Sequence, residues 1–143
     1  RHVQQLAIAR LEPGAAVPPW AGSVAPLFSA TWSATETSMI CPAEAIPPGV
    51  TQAGPFHAFE LEGPLDFSLT GVLSSLLGPL AQAGVSIFTV STFDTDWILV
   101  PTHQSELAVA TWREHGHAVR DGDESSPGGL PPEGCPPVHP PAD

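Results

Sequence analysis

The chain has 143 residues, 18 of them proline and 13 glycine, and sets 15 acidic residues against four arginines for a formal net charge of −11. Its length suits one compact domain or two small modules sharing a core, and an apolar fraction of 42% excludes wholesale disorder. The lack of basic residues excludes nucleic-acid binding and docking on anionic lipid, both of which need basic clusters.

In chain order, Gln5 to Leu11, Pro26 to Trp32 and Ser38 to Cys41 read as strands. The connection from Glu12 to Ala25 holds three prolines and two glycines, so no crossover helix is expected there. Phe56 to Glu62 is the next strand. Leu69, Val72, Leu73, Leu76, Leu77 and Leu80 then recur at helical spacing, the stripe of an amphipathic helix that packs on a sheet. Asp66, Ser68 or Thr70 would cap its start and Gly84 its end, with Pro79 kinking or shortening the last turn. Val85 to Phe93 and Trp97 to Val100 are β-rich runs around Asp94-Thr95-Asp96, the pattern of a hairpin. A second helix is expected from about Gln104 to His115, stopped by Gly116, before a short strand opened by Ala118-Val119.

Composition breaks after Arg120. Residues 121–143 hold seven prolines, four glycines and five acidic residues, too little apolar surface to offset chain entropy, and read as a disordered acidic tail. The folded region is therefore only mildly acidic. No stretch reaches the roughly 20 apolar residues of a membrane span. No signal peptide is recognised in the sequence, which begins at Arg1 rather than Met, and Cys41 and Cys135 make no disulfide framework, so a cytoplasmic location is the expectation.

The second half has the order β-α-β-β-α-β of ferredoxin-like folds. It includes the runs Glu62-Gly63-Pro64-Leu65-Asp66-Phe67-Ser68-Leu69-Thr70-Gly71-Val72-Leu73, Ala83-Gly84-Val85-Ser86-Ile87-Phe88 and Ser91-Thr92-Phe93-Asp94-Thr95-Asp96-Trp97. These runs resemble small ACT domain-containing proteins, with modules of the type found in aspartokinase regulatory regions and in the animal cytosolic arginine sensor. Ser38-Met39-Ile40-Cys41-Pro42 and Ile46-Pro47-Pro48-Gly49-Val50 resemble the degenerate partner module of those proteins. The resemblance implies an α+β protein of two ferredoxin-like (βαββαβ) ACT modules packed as a pseudo-symmetric pair. A reduced module would occupy residues 1–55 and a fuller one residues 56–120, with the tail at 121–143.

By the same resemblance, an amino acid or similar small metabolite binds at a module interface. It would be held by Leu69, Thr70, Gly71, Val72 and Leu73 at the helix start, with Thr92, Phe93 and Asp96 from the hairpin. A helix N-terminus offers unpaired N–H groups to a carboxylate, and Asp96 would hold an ammonium or guanidinium. The apolar Leu69 replaces an acidic residue of the arginine-sensing relative, which points away from arginine itself. ACT modules commonly pair, so a homodimer is expected.

Other chemistry finds less support. Asp94-x-Asp96 has the form of a phosphatase nucleophile loop, but there is no lysine beside it for phosphate. Polar turn residues are the simpler account, and for Asp94 the preferred one. His103, His115, His117 and the Cys135–His139 pair do not compose a closed metal site, and no Gly-rich phosphate loop is present. No metal or cofactor is expected, and no catalytic residue. The rival class is an enzyme on an ACT-like scaffold acting on an amino-acid-like metabolite, with Asp96 as base or Cys41 as nucleophile. A third is an interaction module that offers its Pro-rich tail to a partner.

Overall fold

The computed structural model describes residues 1–22, 26–61 and 71–122. Counting those residues, the chain divides into two compact units, one of residues 6–54 and the other of residues 1–5 with 55–122. The expected caps Asp66, Ser68 and Thr70 lie outside the described residues, as does the tail from Asp123 onward.

The first unit is built on β1 (Leu6–Leu11), β2 (Ser29–Trp32) and β3 (Thr37–Pro42), antiparallel in the order β2-β3-β1. Ala7 faces Cys41 and Ala9 faces Met39 across the ladder, so one face of the sheet carries small side chains around the larger, fully buried Met39. With so little side-chain height, irregular backbone closes the core: a 3-10 turn at Pro19–Ala21 lies over β3 and buries Ala21 fully. Trp20, Phe28 and Trp32 pack around it half-buried, and the Trp32 indole N–H donates to the Ala15 carbonyl at 2.8 Å. As the prolines of residues 12–25 predict, no α-helix forms among the described residues of this unit. The turn from β2 to β3 is tied by Ser33, whose hydroxyl accepts the Thr35 and Glu36 N–H groups.

The second unit carries β4 (Gln52–Glu60) from Pro55 onward, α1 (Val72–Gln82), β5 (Phe88–Ser91), β6 (Asp96–Pro101) and α2 (Ser105–Glu114). Its strands are antiparallel in the order β4-β6-β5. Phe59 and Ile98 are paired neighbours on the face that the helices cover, where Leu80, Val85, Val100, Ala108, Val109 and Trp112 complete the core. Leu73, Leu76 and Leu77 pack against it, which is the work of the helical stripe.

Both helices stop as the glycines predict. Gly84 takes φ +78° and lets the Val85 N–H reach back to the Leu80 carbonyl at 2.9 Å; Gly116 does the same for His117 and Trp112. The helix start differs from expectation. The N-cap of α1 is Gly71, at φ +100° and with no side-chain cap bond. Pro79 does not shorten α1, which continues to Gln82 while the Pro79 carbonyl accepts the Ala83 N–H.

The final strand expected from Ala118-Val119 is also corrected, since no strand follows α2 among the described residues. The Arg113 guanidinium takes the Val119 carbonyl at 3.1 Å, and the side chain of Val119 packs on the core. Beyond it, the Gly122 N–H donates to the Arg1 carbonyl at 2.7 Å.

Candidate functional site

A cavity of about 770 Å³ opens within the second unit, inside the ~300–1,000 Å³ range of small-molecule sites. The end of β4 supplies Phe59, Glu60 and Leu61, and the first turns of α1 supply Val72 and Leu76. The β5–β6 turn contributes Asp94 and Thr95, β6 contributes Ile98 and α2 contributes Trp112. The wall is closed by residues 117–122 and by Arg1 and His2.

Strand alternation explains the floor. Phe59 and Ile98 point toward the helices, where Phe59 meets Trp112 edge-on at a centroid distance of 4.8 Å. The Trp112 indole N–H is already donated to the Leu76 carbonyl at 2.9 Å. The floor is therefore apolar, and the charged groups stand around it.

The N-terminal pentapeptide forms one side of this wall. The His2 N–H donates to the Ala58 carbonyl, its ring stacks on Trp97 at 5.2 Å, and its Nε2 lies 3.1 Å from the Glu60 carboxylate. The Arg1 guanidinium reaches Ser105 Oγ at 3.0 Å and the carboxylates of Glu106 and Asp121. Its side chain is only 16% exposed. The Arg1 hydrogen bond holds the Asp121 carboxyl below its usual range, and Asp121 is in turn the main cause that raises the Arg1 pKa. On β4, burial and then the charge of Arg1 push the His57 imidazole below its ordinary 6.5, and its Nδ1 has no partner among the described residues.

The sequence-predicted site residues divide. Val72 lines the cavity, while Leu69 and Thr70 lie outside the described residues. Gly71 and Leu73 flank Val72 without being among the lining residues, Gly71 as the cap and Leu73 against the core. Thr92 builds the turn: its hydroxyl meets that of Thr95 at 2.7 Å and accepts the Thr95 N–H. Phe93 is 85% exposed. Asp96 begins β6, where its carboxylate accepts the Ser91 hydroxyl at 2.6 Å and its carbonyl accepts the Leu61 N–H. Of the two turn aspartates, the one at the cavity is Asp94.

Sequence reading missed Arg1, His2, Glu60 and residues 117–122 as lining groups, because no local pattern marks contacts between chain segments so far apart. Cys41 is fully buried in β3, and burial pushes its thiol pKa up, the opposite of what activates a nucleophile. Among the described residues, no three His, Cys, Asp or Glu side chains gather as a metal site requires, and no helix is long and apolar enough to cross a membrane.

Comparison with known proteins places these features. A family model described as an ACT domain matches residues 55–114. The crystal structure of protein Atu0741 from Agrobacterium tumefaciens is 33% identical, covers 85% of this chain and 90% of its own, and superposes with a TM-score of 0.77. A Vibrio cholerae protein of unknown function, VC0802, described as a possible transport protein, is 16% identical over 80% of this chain and 86% of its own, with a TM-score of 0.64. Aspartokinase alpha and beta subunits match at 16% identity over 79% of this chain and 93% of theirs, with a TM-score of 0.53. These last two likenesses concern the fold alone. No curated protein matches the chain.

Proposed function

The chain belongs to the family of the Agrobacterium tumefaciens protein and carries an ACT domain over residues 55–114, and from that premise we propose that it is a regulatory protein that senses an amino acid or a close analogue. The observation that carries this reading is the cavity, which lies in the unit holding the ACT domain and touches both expected elements: the first turn of α1 and the β5–β6 turn. The function is binding. Ligand shifts an equilibrium between two packings by its difference in affinity for them.

Asp94 or Asp96 takes the ammonium, and the first turn of α1 supports the carboxylate. A homodimer in the cytoplasm completes the proposal, and sedimentation at high micromolar concentration tests the dimer. The main test is a thermal-shift screen of the twenty amino acids and close analogues. A ligand at 100 times its Kd adds roughly 2.7 kcal/mol of stability, so a specific binder raises Tm clearly. Asp94→Ala and Asp96→Ala, measured with that binder, identify which carboxylate holds it. If no amino acid or analogue raises Tm, the reading is wrong; slow conversion of one instead selects the enzyme.

A further inference from the structure

We infer that the cavity selects amino acids whose side chain is apolar, aliphatic or aromatic, over basic, acidic and small polar ones; this rests on the sensing reading above and names its ligand class. The floor of the cavity is made by Phe59, Val72, Leu76, Ile98 and Trp112. Trp112 Nε1–H is taken by the Leu76 carbonyl, and the backbones of Phe59 and Ile98 are paired in the β4–β6 ladder. A charged or hydroxylated side chain pushed onto this floor would shed its water and find no partner among these groups. An apolar one gains on the order of 25 cal/mol for each Å² it removes from water.

The charged lining groups are Asp94 of the β5–β6 turn, Glu60 beside His2, Arg120, and Asp121 paired with Arg1. The deeper cation is Arg1, and its carboxylate partners Glu106 and Asp121 are already engaged. A guanidinium or ammonium side chain gains no partner from Arg1 itself and would shed its water on the apolar floor, so arginine and lysine fit that floor poorly.

The test is calorimetric titration of the full chain with leucine, phenylalanine, serine, glutamate and arginine. Leucine or phenylalanine is expected to bind at least about tenfold more tightly than the other three, the scale of discrimination a hydrophobic pocket achieves. Two half-buried lining positions separate this cavity from any other site. Leu76→Ala deepens the floor and should move preference toward phenylalanine, whereas Val72→Phe fills it and should weaken leucine about tenfold. Circular dichroism and apo Tm establish that each variant is folded. Binding of serine, glutamate or arginine as tightly as leucine overturns the selectivity and leaves the sensing reading standing. Leucine binding unmoved by both folded variants overturns the assignment to this cavity. No binding by any amino acid overturns both readings.

Discussion

The two units solve the same problem, closing one face of a three-stranded antiparallel sheet, with opposite materials. The unit of residues 55–122 lays two helices on large side chains: Phe59, Leu80, Ile98 and Trp112 are all at most 5% exposed. The unit of residues 6–54 sets Ala7, Ala9, Ala21 and Cys41 beside Met39 and Ile46 in its core and covers them with irregular backbone. Helices need height beneath them because their own side chains must interdigitate with the sheet. A Pro-rich segment has no periodic face to bury, so it covers its core as irregular turns.

Truncation should expose this contrast most strongly. Ile98→Ala and Met39→Ala each remove a side chain that is fully buried, one in each unit. Both fall in the ~2–5 kcal/mol range of such changes. Ile98→Ala should lie near its top, because regular helices cannot collapse into the space, and Met39→Ala near its bottom. Equal losses by urea denaturation would break the comparison.

Enlargement should reverse the order. Ala9→Leu must displace backbone that lies over a low sheet, an overpacking worth about 1–3 kcal/mol. Ala108→Leu, at an equally buried site on α2, should cost less if the helical unit is more tolerant. A smaller effect is expected at the end of α1, where Gly84 has open space around its Cα but φ +78°. There Gly84→Ala pays only left-handed strain, roughly 1–2 kcal/mol, and leaves the cavity as it was.

The smallest effect is a pH dependence confined to the helical unit. Burial is the main cause that lowers the His57 pKa from its ordinary 6.5 in the fold. Below that pH the unfolded chain takes up a proton that the folded chain does not, so stability is complete above about 6.5 and falls as the pH drops. His57→Gln should flatten that decline. A decline of unchanged slope assigns the effect to another group.

Much of the fold was legible because burial writes itself into sequence with the period of each element. Leu73, Leu76, Leu77 and Leu80 mark α1, and Gly84 and Gly116 mark both helix stops. The prolines of residues 12–25 announce a connection without an α-helix. The site was legible only by halves. Val72 could be found from its helix, but choosing Asp94 rather than Asp96 for the cavity depends on how a four-residue turn rotates. Thr92 and Thr95 set that rotation through mutual hydroxyl bonds. Arg1, His2 and the segment after α2 come from opposite ends of the chain, and no local spacing connects them.

The acidic composition, the shortage of basic residues and the helical and β-rich periods are settled by the sequence itself, the first two as sums over the chain and the periods because they depend on residues within a few positions of one another. Tertiary structure alone decides that residues 1–5 join the unit of residues 55–122, that Ala118 and Val119 end the unit without a strand, and that Asp94 rather than Asp96 faces the cavity. Those outcomes turn on hydrogen bonds such as Gly122 to Arg1 and Arg113 to Val119. Their partners are selected by three-dimensional proximity, on which local periodicity is silent.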